Sequence, residues 1–563
     1  RTRSFLQLGA DTAPLPLALT WQNLSYGAAA VTIGLIAALI PAAVATRRTL
    51  VDEQQQAARA IRKPFWQRFY LDFALLIPPA YGIYQLQRTG GLQLGAVKGA
   101  DPFNNPLLLV VPMLLCFALG LIAVRLIPLV LELLARLSKY PSWVAPLIAL
   151  RALARQPGAY RGPLLLLILT LSLASFSASM AATLDGALRE AIGYQVGAAT
   201  QLLETGQSTE QPQGDQQPQK KDIHEEPRFL FVPVSDHLNV PGITAAARIG
   251  AYDAAVQLGG VNQQAQLVGI DRVDFPKVIG HFDRAWTGGQ SLGALMNLLA
   301  RTPDGVIVSK DILTKGLKVG DTLPAVLTLY NDRREVKFKI VAAVDLWPGY
   351  YPQDGPIIVA NLNYIFDQMG GQYPYDVWIN HAGDAKLDDI VSGVRGLGIA
   401  VVDTRDAATL IAEEQAQPRR QGLFGLLSVG FIAAGALTLL GFLLSALIAA
   451  RRRAIDLGVL RALGMSGSQV AIELVIEQVV LVAAGLGAGT GIGLLAAKLV
   501  VPLLQVGAGP HPGTPFYPPQ IAWDQVSIIY LIFAAALLLT LLALSLTLGR
   551  MRLFQAIKLG DAN

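Results

Sequence analysis

The side chains that could do chemistry are few in this chain of 563 residues. Five histidines, His224, His237, His281, His381 and His511, are scattered without the spacing of metal ligands, and each reads as a surface or satisfied core residue. The single cysteine, Cys116, sits in an apolar run, so it has neither a disulfide partner within the chain nor a second thiol for exchange. No G-x-x-x-x-G-K-[ST], H-E-x-x-H, C-x-x-C or G-x-S-x-G pattern occurs. The chain therefore reads as non-catalytic, with no cofactor-binding or metal-ligating residues of its own. The stretch LGAGTGIG, residues 486–493, invites a nucleotide reading, but a phosphate-binding glycine motif belongs between a strand and a helix. Here it lies inside an uninterrupted apolar run. Gly485, Gly489 and Gly493 recur every four residues, on one face of a helix, where small residues let a neighbouring backbone approach closely. Four ionisable residues, Asp72, Arg125, Glu473 and Glu477, also fall within apolar runs, where charge suggests function by default. Asp72, Glu473 and Glu477 lie near predicted cytoplasmic ends, where interfacial solvation accounts for them, and Arg125 can snorkel.

A different kind of chemistry, recognition, is suggested by RRRAIDLGVLRALGMSGSQV, residues 451–470. It follows directly on Gly422–Ala450, a run without a charged side chain. Ile455, Val459 and Leu463 recur every four residues, with Leu457 and Leu460 beside them, which makes a helical stripe. Arg451, Arg452, Arg453, Asp456 and Arg461 surround it with charge, Gly464 is placed to stop the helix, and Ser466 or Ser468 to cap the next. Two readings fit these residues: a basic helix lying on anionic lipid, or a short helix seated in a groove of a partner protein.

The elements that must position these residues are membrane spans. The chain is 53% hydrophobic and only 15% charged, against about 25% charged in soluble domains, and its mean hydropathy is +0.44. The net charge of +5 suits cytoplasmic anchoring rather than nucleic-acid binding. A span needs about 20 apolar residues, and seven segments approach this: Tyr26–Thr46, Phe69–Leu86, Pro106–Val124, Pro163–Ala182, Gly422–Ala450, Val470–Leu495 and Val526–Leu548. The second is the weakest, with Asp72 and Pro78-Pro79 inside it. Lysine and arginine cluster between the first and second, third and fourth, and fifth and sixth spans, and after the seventh, while the alternate loops are poor in them. Positive charge marks the cytoplasmic side, so the C-terminus is expected inside and the chain in the cytoplasmic (plasma or inner) membrane. The sequence starts at Arg1 without a signal peptide, and residues preceding it are expected.

On the same logic residues 183–421 form one large outer insertion. Residues 204–227, rich in Gln, Pro and charge, read as a disordered loop. Short β-rich runs follow, including GVIVS, VKFKIVAAV, PIIVA and DVWIN, interrupted by helix-like pieces at Ser309–Lys315 and Ala385–Gly396. The fold class expected is an α-helical polytopic membrane protein with about seven spans and one large α+β extracytoplasmic domain.

Residues Arg451 to Ser466, R-R-R-A-I-D-L-G-V-L-R-A-L-G-M-S, resemble the FtsX-like permeases of ABC transporters, the macrolide-exporter and lipoprotein-release class, whose pattern is roughly R-x-R-E-I-G-I-L-R-A-L-G-A-S. Asp456 stands where the family prefers Glu, and Met465 where it prefers a small residue. The following helix, with Glu477 and a glycine-rich centre, and the order of one span, an outer domain and three spans are also similar to the family. Pro41–Arg59 looks like the end of an earlier copy of the unit that closes at Ser545–Asn563. The resemblance thus implies the C-terminal portion of a duplicated ten-span permease. In it, residues 1–60 end a first repeat, 61–160 hold two linker spans, and 161–182 open the second repeat. Residues 183–421 are then the outer domain, and 422–563 the three-span domain with a coupling helix at 451–465. It further implies that ATP and Mg are handled by a separate cytoplasmic ABC ATPase dimer, contacted by Arg453, Ile455, Asp456, Val459, Leu460, Arg461, Leu463 and Gly464. A second permease or permease repeat, the lipid membrane and an extracytoplasmic partner complete the expected partners, with no nucleic acid. The expected function is export or extraction of a lipophilic or peptide-like substrate. The alternative is a non-transporting scaffold that transmits force to, or organises, an extracytoplasmic partner.

Overall fold

The computed structural model describes residues 6, 21–46, 65–88, 92–93, 106–137, 150–151, 153–154, 157–205, 207–208, 229–329, 332–383, 385–452, 467–505, 511 and 514–550. Helices α1 (Trp21–Thr46), α2 (Ile77–Arg88), α3 (Pro106–Leu137) and α4 (Pro157–Val196) precede the inserted domain, whose helices are α5 (Leu292–Arg301), α6 (Leu362–Met369), α7 (Leu387–Gly396) and α8 (Ala407–Ala416). Three helices follow it: α9 (Pro418–Arg452), α10 (Gly467–Val500) and α11 (Trp523–Arg550). Among the described residues four stretches are long and apolar enough to cross a membrane: Val110–Arg136, Tyr160–Val196, Arg420–Gly441 and Val475–Leu503.

The central helix of the bundle is α4. Its apolar window is 78% buried, against 24–39% for the other three. One side of it packs on α3 through Val124, Ile127, Leu131, Leu164 and Ile168, and Phe176 and Met180 meet Phe424 of α9 and Ala496, Ala497 and Val500 of α10. A helix buried all round must be apolar all round, as PLLLLILTLSLASFSASMAA is, with its serines small enough for close packing.

Two expectations for the linker region are corrected. The span expected over Phe69–Leu86 is instead two single turns, Phe65–Arg68 and Leu71–Ala74, followed by α2. Tyr70 adopts a left-handed φ of 53° between the turns, and Pro78 and Pro79 fall in the first turn of α2, where their missing amide hydrogens cost nothing. The prolines begin a helix here rather than interrupt one. Nor is Asp72 solvated at an interface. It is fully buried, and both its carboxylate oxygens accept from Arg125 Nη1, at 3.0 and 2.8 Å. Arg125 in turn lies over the rings of Tyr70 and Phe73, 4.5 and 5.4 Å from their centroids. It therefore does not snorkel; an isolated buried carboxylate is costly, and the next helix supplies its counter-charge. Glu477 is also buried, at 5% exposure, rather than interfacial, and the Glu473 side chain lies outside the described residues.

The inserted domain is built on a nine-stranded sheet: β1 (Thr200–Thr205), β2 (Ile243–Leu258), β3 (Val261–Ile270), β4 (Gly305–Ser309), β5 (Thr322–Leu329), β6 (Asp332–Val344), β7 (Ile357–Asn361), β8 (Asp376–His381) and β9 (Ala400–Asp406). The strand order is β9-β1-β8-β2-β3-β7-β4-β6-β5, and β2 also pairs with β5. That last pairing closes six strands into a barrel, while the first half of the long β2 carries β8, β1 and β9 as an open extension. Pairs β3–β7 and β4–β6 are parallel and the others antiparallel. The β2–β3 hairpin turns at Gly259 and Gly260, both at positive φ (59° and 84°), a conformation glycine supplies without steric cost.

Apolar side chains fill both sides of the central strands. Val306 and Val308 of β4 join one core with Phe338, Leu327 and Ile358, and Ile307 joins a second with Trp347, Phe275 and Val359. GVIVS and PIIVA read as continuous apolar runs for this reason, as doubly covered strands do. The loop expected from residue 204 is corrected at its start: Glu204 and Thr205 end β1, and Gln207–Ser208 pair with Phe229–Leu230. Residue 206 and residues 209–228, the body of that expected loop, lie outside the described residues.

Candidate functional site

The candidate site is the junction where the membrane helices enter the inserted domain. Three connections meet there. The first is α4, which continues to Val196, well past the expected end at Ala182, and stands as a stalk into the domain. It stops at Gly197, whose positive φ of 76° lets its amide return to Gly193 O at 2.7 Å. Three residues later, at Thr200, the chain is in β1.

The second connection is the return, β9–α8–α9. Asp406 caps α8: its Oδ2 accepts from Thr409 N and Oγ1 at 2.8 and 2.7 Å, and its Oδ1 from Thr200 Oγ1 at 2.7 Å. Burial opposes ionisation of Asp406, but the Thr200 and Thr409 hydrogen bonds and nearby His381 outweigh it and hold the carboxyl below its usual range. The stalk residues Leu188, Ile192 and Val196 pack against Ala407, Leu410 and Ile411 of α8. One turn lower, Arg420 at the start of α9 donates to Asp185 Oδ1 at 2.6 Å and lies over Phe424, 4.8 Å from its ring centroid. Both charged side chains are nearly buried, at 9% and 12% exposure, so the pair locks α9 to α4.

The third connection is the loop between α10 and α11. Gln520 N donates to Thr183 Oγ1 at 2.9 Å, and the Tyr517 hydroxyl lies against Gly186, where a Cβ would collide with it. His511 Nε2 reaches Asp354 Oδ1 at 2.7 Å and its ring lies 4.9 Å from that of Tyr351. On the stalk, Tyr194 packs edge-on against Trp286 and Tyr351, with centroids 5.1 and 5.6 Å away, and its hydroxyl donates to Tyr350 O. The aromatic cluster gives the stalk a stiff seat in the base of the domain.

The sequence-predicted glycines are placed on this bundle too. A Cβ on Gly489 would lie 2.9 Å from Leu171 Cβ and 3.1 Å from Ile168 O of α4, while Gly485 faces Leu167, and Gly493 faces Ser172, Ser175 and Phe176. The segment between α2 and α3 joins the same body: Leu92–Gln93 pair in parallel with Leu504–Gln505. Arg453, Ile455, Asp456, Val459, Leu460, Arg461, Leu463 and Gly464 lie outside the described residues. Sequence reading missed the junction. Its available signal was the opposite charge immediately beyond two apolar runs, Asp185 after the fourth expected span and Arg420 before the fifth.

Residues 427–554 match the family model of the FtsX-like permease C-terminal domain. Over this membrane region the chain is similar to the FtsX-like permeases. The FtsX-like region takes in most of α9, all of α10 and α11, the loop of the third connection, and the 453–466 stretch between α9 and α10. A comparison with curated proteins finds no match. Among solved structures, the periplasmic region of MacB from Actinobacillus actinomycetemcomitans is similar at 11% identity over 40% of this chain and 95% of that one, with a TM-score of 0.24. The extracellular domain of the noncanonic ABC-type transporter YknZ from Gram-positive bacteria is similar at 11% identity over 33% of this chain and 84% of that one, with a TM-score of 0.19.

Strand β8 of the inserted domain also carries a carboxyl that resists ionisation. Burial, opposed by Arg405 and aided by the charge of Glu204, raises Asp376 on β8 to about 6. The sign follows from linkage: a raised folded-state value stabilises the domain fully below the ordinary carboxyl range and loses that stability as pH climbs through 6. At pH 7 the ionised Asp376 costs on the order of 2–3 kcal/mol. Asp376→Asn is therefore expected to raise the melting temperature at pH 7 by several degrees and to flatten its dependence between pH 4 and 6. Scanning calorimetry of both forms across that range checks it; a parent profile that rises toward pH 7 would contradict the assignment.

Proposed function

We propose that this chain is the membrane subunit of an ABC transporter, coupling ATP hydrolysis in a separate cytoplasmic ATPase dimer to movement of its extracytoplasmic domain. The carrying observation is the FtsX-like match over 427–554, because it contains the arginine-flanked stripe at 451–465. In this reading the stripe sits in the ATPase, ATP-driven closure of the ATPase moves α9 and α10, and the three connections at the junction deliver that motion to the domain. Arg420–Asp185 ties α9 to the stalk, the glycine face ties α10 to it, and the α10–α11 loop bears on the domain base directly. The chain lies in the plasma or inner membrane with the domain outside and the C-terminus inside, alongside a second permease or permease repeat. Residues 1–60 close a first repeat and 61–160 link it to the second. The substrate class proposed is a lipophilic or peptide-like molecule received on the outer side.

A force-transmitting scaffold would use the same junction, and both forms share the ATPase. The test is purification of the chain in mild detergent from cells that also express its genomic neighbours. A stoichiometric cytoplasmic subunit whose ATP hydrolysis rises several-fold in complex with the chain is expected. Recovery of the chain without any nucleotide-hydrolysing partner would overturn the proposal.

A further inference from the structure

At each of the three connections a histidine faces a carboxylate; two of these pairs join a membrane-side element to the inserted domain, and the third, His381–Asp406, joins two strands of the domain's own sheet. Glu190 on the α4 stalk faces His281 of the domain at 3.4 Å. Asp406, the cap of α8, faces His381 at the end of β8 at 3.7 Å. His511 of the α10–α11 loop faces Asp354 of the domain at 2.7 Å. A fourth pair, His237–Glu204 at 2.7 Å, is buried within the domain at the end of β1, the strand that follows the stalk. We infer that the two interface pairs, His281–Glu190 and His511–Asp354, form a proton-sensitive latch, which tightens the domain onto the membrane bundle as the outer medium acidifies.

Histidine is the side chain whose charge ordinarily changes between pH 5 and 8. His511 and Asp354 are within hydrogen-bond distance, where a neutral imidazole gives a neutral-donor bond and an imidazolium a charge-assisted one, roughly twice as strong; His281 and Glu190, at 3.4 Å, gain a weaker attraction. The surroundings of each pair do not cancel this gain. His511 faces Asp354 and the Tyr351 ring, whose π-face also attracts a cation, and a further carboxylate, Asp311, acts with Asp354 on neighbouring Tyr350. His281 faces Glu190 and the edge of Trp286, with Arg189 and Tyr517 close to Glu190; Arg189 partly offsets the attraction. His381 faces Asp406, which Thr200 and Thr409 already hold, and donates to the Ala382 carbonyl through Nδ1. The His511 pair has the shortest contact, and its loop lies within the FtsX-like region, so it dominates the expected response. The latch would set how much of the membrane motion reaches the domain, and its measurement requires no ATPase.

The test is hydrogen exchange of the full chain in lipid nanodiscs at pH 5.5 and 7.5, corrected for the intrinsic pH dependence of exchange. Wild type is expected to show roughly three- to tenfold greater protection of residues 514–522 at pH 5.5, with the barrel strands unchanged. His511→Gln and Asp354→Asn should each remove that response while leaving the barrel's protection as in wild type. His281→Gln should reduce the smaller response of residues 186–196. Equal corrected protection at the two pH values in wild type, or a response that survives in both His511→Gln and Asp354→Asn, overturns the latch.

Discussion

Gly489→Leu is expected to abolish most of the folded, monodisperse protein, while Gly487→Leu, two residues away, leaves it nearly unchanged. Both glycines lie on α10 and both substitutions add the same apolar side chain, so propensity and hydrophobicity cancel in the comparison. What differs is the neighbour. A Cβ at 489 meets Leu171 Cβ and the Ile168 carbonyl of the central stalk helix, whereas at 487 nothing lies within 4 Å. Overpacking usually costs about 1–3 kcal/mol and occasionally more, and the upper end applies where the obstacle is backbone rather than the tip of a flexible side chain. The rest of the leucine must then push α10 away from α4 along a contact that also includes Gly485 and Gly493. Size-exclusion profiles and thermal melts of the two variants in one detergent decide it. A Gly489→Leu variant as stable as Gly487→Leu would mean that this face of α10 does not bear on α4.

That contact was readable from the sequence because glycine at spacing four inside an apolar run has one economical meaning. The strands GVIVS, PIIVA and DVWIN were readable for a related reason, since β-branched runs bounded by turn residues leave few alternatives. The stalk was not. GALREAIGYQV, residues 186–196, carries charge and glycine and looks like the start of a loop, yet it extends α4 because Leu188, Ile192 and Val196 find α8 and Tyr194 finds an aromatic seat. Those partners are more than 80 positions away in the chain, beyond any local pattern. The same distance hid the ion pairs. Asp72 looks like an interfacial residue until Arg125 is placed beside it, and Asp185 and Arg420 are joined only by the fold. The histidines looked scattered because their carboxylate partners lie on other elements in every described case. Local periodicity reports which face of an element is buried; it carries no information on which distant charge completes a pair.

In the proposed function, a stalk locked to α9 and α10 moves the domain only if something moves those helices, which points to the inner end of the molecule. The double substitution Val459→Asp plus Leu463→Asp is expected to release the ATPase subunit and eliminate the permease-stimulated part of ATP hydrolysis. Residues 453–466 lie outside the described residues, so the expectation stands on the stripe in the sequence and on the FtsX-like match that contains it. Burying one Val or Leu side chain contributes roughly 1.5–3 kcal/mol, and a few buried apolar anchors dominate most interfaces. Placing two carboxylates at those positions removes both anchors and requires their desolvation as well, a change of several orders of magnitude in affinity. Arg461→Ala should do much less and chiefly alter the salt dependence of association, as charges at an interface rim steer encounter more than they hold it. The membrane bundle should survive both changes, since the described packing of α4 against α9 and α10 runs through other residues, Phe431, Gly485 and Gly489 among them. The measurement is co-purification and ATPase activity of wild type, Arg461→Ala and the double variant, with thermal melts to show that each remains folded. A folded double variant that keeps its ATPase and its full stimulation would place the stripe on the lipid surface instead.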